Sequence, residues 1–319
     1  MVGRKTASLA AGPAGRHSAR LSDPHASPLD LERWQHADPE FGLTLRGWRT
    51  PPRGRPLVHV LHGNGLCART YAPMLEPLAD RFDLWLCDAQ GHGDSDAGGH
   101  FLGWNANAAM VARAFRAHHP APTVPVFAVG HSFGGVLSAL MAANDPSLFR
   151  RLVLLDPVIY TPLVAASVAL LDRTGLQGLL PLVRATRRRR TRWPSREEAF
   201  ARFRGRGVFA DWQDAALRAY VDHGLREDGD GVALKCPTAI EAAIFSTGPV
   251  GLWRQLDRLA TPTLLVHGDR TLPFVAPSAR RLAARHAHVQ VEAVAGSHCF
   301  MLAEPEAAAR RVAAFLAEA

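Results

Sequence analysis

Short apolar runs flanked by turn residues recur along the chain at 57–61, 82–87, 124–129, 152–155, 262–266 and 289–294. Stretches with helical spacing separate most of them, at 72–79, 106–117, 135–143, 277–285 and 304–317. Runs this uniformly apolar, alternating with helices, predict parallel strands covered on both faces. Phe41, Leu43, Leu45 and Trp48 keep an i, i+2 pattern before Pro51-Pro52 and predict an edge strand. The alternation breaks once. From 158 to 258 the chain is arginine-rich and helix-leaning, punctuated by Pro181, Pro194, Gly224 and Gly229, and the strand pattern resumes at Thr261. The expected architecture is an α/β core over 29–157 and 259–319, a mostly parallel sheet flanked by helices, with a helical lid over 158–258 inserted between two strands. Residues 1–28, mostly Ala, Gly, Ser, Arg and His with Pro13, Pro24 and Pro28, lack either periodicity and are expected to form a disordered basic tail.

Composition agrees with a globular protein: 319 residues, 47% apolar and 21% charged. The longest nearly uncharged apolar run, 162–171, is about half of what a bilayer span needs. No charged-then-apolar-then-small pattern opens the chain. Neither membrane insertion nor secretion by a standard signal peptide is expected. The net charge of +8 would ordinarily raise nucleic acid or anionic membranes as partners. Here the excess is local, because ten arginines face two glutamates between 181 and 206 and the remainder of the chain is neutral. Cys67, Cys87, Cys236 and Cys299 form no C-x-x-C pair, so no disulfide framework or zinc ribbon is expected and a reducing cytoplasm is the default location.

The strongest chemical signal is Gly130-His131-Ser132-Phe133-Gly134-Gly135, directly after one predicted strand and directly before a helix. A serine hydroxyl becomes a useful nucleophile when a strained turn lifts it clear of the sheet, and such a turn tolerates only very small residues two positions to either side. Gly130 and Gly134 are those residues.

In these residues the sequence resembles the α/β-hydrolase superfamily, over roughly 41–319. The resemblance implies that Ser132 is the nucleophile. His62-Gly63-Asn64-Gly65 follows the 57–61 strand where that family places its oxyanion turn, so the main-chain N–H groups of Asn64 and Phe133 are the implied oxyanion donors. His62 and His131 are expected to bond loop backbone. The 88–96 loop is similar to the family's D-x-R-G-x-G-x-S, with Gln90 where arginine is usual, and is expected to be architecture. Gly296-Ser297-His298, ahead of Glu304-Pro305-Glu306, matches the family's C-terminal G-x-H and E-P-E pattern and implies His298 as the base. The acid departs from the pattern. Most members place an Asp three residues after the glycine that ends the preceding strand, yet Gly268 is followed at that distance by Thr271. Asp156, at the end of the 152–155 strand, is preferred because some subfamilies such as the haloalkane dehalogenases keep their acid there. Asp269 is the alternative and requires a loop shift; a third reading makes Asp156 a cap on the turn entering the insertion.

Dehalogenases and epoxide hydrolases use an aspartate nucleophile, so Ser132 points to acyl chemistry. The expected activity is hydrolysis of a small carboxylic ester or related acyl compound through an acyl-enzyme. The alternatives are a slow-turnover small-molecule binding protein on the same fold, a thioesterase or carbon-carbon bond hydrolase, and a nucleic-acid binder. The stretch from Arg187 to Arg192 can pair with a carboxylate or phosphate, but so many guanidinium groups cannot all enter one pocket, and a solvated helix face is expected. His223 and Glu241 are candidate pocket residues or hydrogen-bonding residues internal to the lid. Cys67 and Cys299 are near the oxyanion turn and His298 in sequence, with no catalytic role expected. No H-E-x-x-H, Walker-type loop or G-x-G-x-x-G after a strand occurs, so no metal, nucleotide or nicotinamide cofactor is expected. The expected partner is a small acyl substrate, with neither nucleic acid nor a membrane.

Overall fold

The computed structural model describes residues 29–119 and 123–318; the tail expected over 1–28 lies outside them. The first six strands are β1 (Glu32–Ala37), β2 (Thr44–Arg49), β3 (Leu57–Leu61), β4 (Asp83–Asp88), β5 (Val126–His131) and β6 (Arg151–Leu155). The insertion holds β7 (Arg192–Trp193), β8 (Leu225–Asp228) and β9 (Gly231–Leu234), after which β10 (Thr263–Arg270) and β11 (Val289–Ser297) complete the main sheet. That sheet has the order β1-β2-β4-β3-β5-β6-β10-β11. β2 is antiparallel to both β1 and β4, and every other neighbouring pair is parallel.

The uniform apolar runs resolve into two alternating faces, as the period of two requires. Val58, Val60, Leu84, Leu86, Phe127 and Val129 face one layer, while Leu57, Leu61, Trp85, Cys87, Val126 and Ala128 face the other. Helices α1 (Ala72–Ala79), α2 (Trp104–His118) and α3 (Ser132–Asn144) cover the first part of the sheet. The insertion contributes α4 (Pro162–Thr174), α5 (Pro181–Arg188), α6 (Arg196–Phe203), α7 (Asp214–Gly224), α8 (Thr238–Ser246) and α9 (Leu252–Leu256). Then come α10 (Val275–Arg285), α11 (Phe300–Ala303) and α12 (Pro305–Ala317). The first layer takes α1, α11 and α12 through Met74, Leu78, Met301, Val312 and Phe315; the second takes α2, α3 and α10 through Met110, Phe115, Leu137, Leu140 and Leu282.

Two elements escape the sequence pattern. Strand β1 turns only Trp34 fully inward. That ring stacks on Trp85 at 4.2 Å and its Nε1 donates to Leu86 O at 3.1 Å, so one large side chain replaces the alternation a strand normally shows. The insertion, expected to be helical, also carries the antiparallel sheet β7-β9-β8, whose β8–β9 hairpin turns at Gly229 with φ +60°. It is tied to two loops at the C-terminal end of the main sheet and to α11: Lys235 Nζ lies 2.7 Å from Asp94 Oδ1, Asn64 Nδ2 donates to Glu241 O at 3.0 Å, and Gln213 N donates to Leu302 O at 2.9 Å. Among the described residues, no helix is long and apolar enough to cross a membrane.

Helix α3 is buried along nearly its whole length and lies unusually close to β3 and β5. A Cβ on Gly130 would sit 2.5 Å from Gly134 O, and one on Gly134 would sit 2.4 Å from His62 O. Both obstacles are main chain, which cannot rotate away as a side chain does. Gly134→Ala is therefore expected to cost roughly 3 kcal/mol of unfolding free energy or to prevent folding, as read by urea denaturation; an unchanged midpoint would show that α3 can back away from the sheet.

Candidate active site

Ser132 ends the β5-to-α3 turn with φ +53°, and Asp156 ends β6 with φ +46°. They are the two non-glycine residues with positive φ among those described. Such conformations cost of order 1–3 kcal/mol and persist where surrounding packing over-determines them. Both sit at the C-terminal ends of adjacent parallel strands, where a side chain reaches beyond the sheet edge.

His298 approaches from the loop after β11. Its Nε2 lies 2.9 Å from Ser132 Oγ and its Nδ1 lies 2.7 Å from Asp156 Oδ1. Nδ1 carries the proton donated to the carboxylate, leaving the Nε2 lone pair for the serine hydroxyl. Asp156 is fully buried. Its Oδ2 accepts from Gly268 N at 2.8 Å, and its Oδ1 also accepts from Thr271 Oγ1. The threonine at the expected acid position thus supports a carboxylate supplied by another strand. Asp269, the alternative acid, is half exposed and accepts from Gly296 N at 2.9 Å; the structure gives it no bond to His298.

The 62–65 turn is pressed against this group. A Cβ on Gly63 would lie 3.3 Å from Ser132 Cβ and 2.7 Å from His131 Nδ1. Among the hydrogen bonds of the described residues, neither Asn64 N–H nor Phe133 N–H has a protein acceptor, whereas Gly134 N–H donates to His62 O at 3.0 Å. Helix α3 begins at Ser132, so Phe133 N–H is one of the donors that a helix start leaves unsatisfied. His62 does bond loop backbone, with Nδ1 donating to Gly63 O at 2.9 Å and Nε2 accepting from Ala89 N at 3.0 Å. Gln90 is buried: Nε2 donates to Ala97 O and His100 O, both at 2.7 Å, while Oε1 accepts from Leu102 N and Asn107 Nδ2.

One participant gave no signal in the sequence. Tyr71, buried just before α1, accepts from Gly63 N at 3.0 Å and lies 2.5 Å from His131 Nδ1. Its single proton goes to His131, so His131 bears its own proton on Nε2 and donates to His298 O at 3.1 Å. Burial holds His131 well below the usual imidazole range, as this neutral tautomer requires. A continuous chain of three hydrogen bonds therefore joins the 62–65 turn to the main chain of His298. A lone tyrosine carries neither motif nor spacing, and only proximity reveals it.

His223 and Glu241 resolve as residues inside the insertion or at its junction with the core. Burial, with Arg69 and Lys235 nearby, pushes the His223 imidazole down to about 3. Glu241 is buried, pairs with Arg189 at 2.7 Å, and lends its main-chain carbonyl to Asn64 Nδ2. Burial raises its carboxyl to about 7, with Arg189 opposing the shift. Part of the arginine run is paired within the insertion, Arg190 with Glu198, Arg192 with Asp228, Arg196 with Glu227 and Arg204 with Asp214. Cys67 and Cys299 are buried free thiols, and burial pushes Cys67 up to about 11 and Cys299 to about 12.

Tyr71→Phe leaves the buried Gly63 N–H and His131 Nδ1 unsatisfied and is expected to lower unfolding free energy by about 2 kcal/mol, measured in urea. No change would mean that water replaces the hydroxyl. For Glu241, the folded carboxyl titrates near 7 against an ordinary value of 4.5. Stability tied to its neutral form is complete below 4.5 and lost as pH rises through 7. Glu241→Gln stays neutral, so its melting temperature relative to the native chain is expected to climb between about pH 5 and about pH 8; a flat difference would contradict the burial argument.

The chain resembles known proteins in sequence and in fold. The chain is 30% identical over 172 residues to a monoglyceride lipase of Rattus norvegicus, covering 51% of this chain and 55% of that one. It is 38% identical over 99 residues to the pimeloyl-[acyl-carrier protein] methyl ester esterase of Chromobacterium violaceum, covering 31% and 36%. Matched stretches span 36% to 64% of such relatives' lengths. The crystal structure of E-2-(acetamidomethylene)succinate hydrolase superposes with a TM-score of 0.71 over 90% of this chain and 99% of that one, at 20% identity, a likeness of fold. The profile of the alpha/beta hydrolase family matches residues 57–311, and the chain belongs to that family.

Proposed function

We propose that the protein is a serine hydrolase that cleaves a small carboxylic ester, with Ser132 as nucleophile, His298 as general base and acid, and Asp156 as the triad acid. The observation that carries this reading is the unbroken line from Ser132 Oγ through both imidazole nitrogens to Asp156, 2.9 Å and 2.7 Å long. Ser132 Oγ attacks the ester carbonyl while His298 Nε2 takes its proton, and Asp156 stabilises the imidazolium. The main-chain N–H groups of Asn64 and Phe133 receive the developing oxyanion. Collapse of the tetrahedral intermediate expels the alcohol, which takes the proton from His298 and leaves an acyl-serine. Water, deprotonated by His298, then attacks the acyl carbon and releases the acid and free Ser132.

Relatives named as a monoglyceride lipase and a methyl ester esterase support an ester as the scissile bond. Residues 158–258 act as the cap over this site, since their attachments fall on the 62–65 and 88–96 loops at the sheet's C-terminal end and on α11 just after His298. A slow-turnover binding protein on the same fold would have no need of a complete Ser-His-Asp line. The carboxylate of Asp156 on His298 Nδ1 weakens that reading.

Labelling with a fluorophosphonate probe followed by peptide mapping is expected to mark Ser132 and to fail in Ser132→Ala. With a chromogenic short-chain ester, Asp156→Asn is expected to lower kcat about 10⁴-fold, whereas Asp269→Asn stays near the native rate. The reverse result would transfer the acid to Asp269, and absence of labelling would reject the enzymatic reading.

A further inference from the structure

The apolar run at 162–171 is too short to span a bilayer, and a soluble fold would normally bury one stripe of it. Here that stripe is shallow: Val164, Ala165 and Val168 pack against the core while only partly covered, no residue from 162 to 182 is fully buried, and the other side of α4, with the turn after it and the start of α5, is left uncovered. Leu163 is 78% exposed, Leu170 63%, Leu179 65% and Leu182 55%. Leu163 and Leu170 are seven residues apart, two helical turns, and share one face of α4. Four largely exposed leucines within twenty residues are more than the singly scattered apolar side chains of an ordinary surface and mark a candidate binding face.

Charge identifies the occupant. Arg184, Arg187 and Arg188 follow directly on α5 and are exposed, and none pairs with an acidic side chain among the described residues, in contrast to Arg189, Arg190 and Arg192. α5 keeps Val183 and Thr186 inward, which leaves these cations on its outer side next to Leu182. A second copy of the chain meeting this face about a twofold axis would oppose arginine to arginine. Residues 1–28, with Arg4, Lys5, Arg16 and Arg20, carry the same sign. The leucines protrude instead of lining a groove, which suits a fluid surface better than a folded partner.

We propose that this face is a peripheral docking surface for an anionic phospholipid bilayer, the leucines entering the headgroup and acyl boundary and Arg184, Arg187 and Arg188 meeting lipid phosphates. This departs from the expectation that the chain has no membrane partner, while keeping the conclusion that no described helix spans one. It does not depend on the catalytic reading, and its test requires no turnover.

The test is co-sedimentation of the full chain with vesicles of phosphatidylcholine alone or mixed with phosphatidylglycerol. Binding is expected with the mixed vesicles, weakened by salt. Arg184→Gln, Arg187→Gln and Arg188→Gln combined are expected to reduce partitioning roughly 100-fold, and Leu163→Gln with Leu170→Gln by at least about tenfold. Unchanged melting temperatures establish that the variants fold. No sedimentation with either vesicle would overturn the proposal, as would binding indifferent to either set of substitutions. So would a dimer in light scattering that the leucine changes dissociate, since that makes the face a contact between copies.

Discussion

A single buried carboxylate ties together the ends of three strands. Asp156 has no solvent contact, and an ionised group in that position would cost several kcal/mol if left without partners. It is met by the main chain of Gly268, the hydroxyl of Thr271 and the ring of His298. These donors come from β10, the turn after it and the loop after β11, while the acid itself ends β6. The parallel pairing of β6 with β10 makes this possible, because Leu155 opposite Val266 leaves the next residue beside Gly268. Satisfying one charge thereby fixes where the imidazole stands, and with it the geometry presented to Ser132.

Much of this was legible in the amino-acid order. Strands covered on both faces must be apolar throughout, so β3 to β6 announced themselves, and a serine between Gly130 and Gly134 at a strand-to-helix junction is constrained by close packing that only hydrogen side chains permit. What escaped depends on contacts between distant segments. β1 rests on one tryptophan instead of an alternating pattern. Tyr71 matters through Gly63 and His131, which no local spacing encodes. The sequence favoured Asp156 over Asp269 by register alone, since the direction in which each side chain leaves its strand is not encoded locally.

Thr271 shows how a polar network can keep its shape while its members exchange roles. A residue that supplies no charge still donates to the carboxylate that does. The depressed His131 and the fully engaged Gln90 belong to the same pattern, each buried side chain bonding more than one segment and so holding loops in one arrangement.

Asn64 stands at a mechanical junction. Its side chain is gripped by a carbonyl of α8, while its main chain belongs to the turn beside Ser132. The position of α8 and the placement of that turn are therefore held to each other by a single hydrogen bond. One amide thus serves two segments far apart in the chain, and whatever seats the insertion also seats the backbone beside the serine.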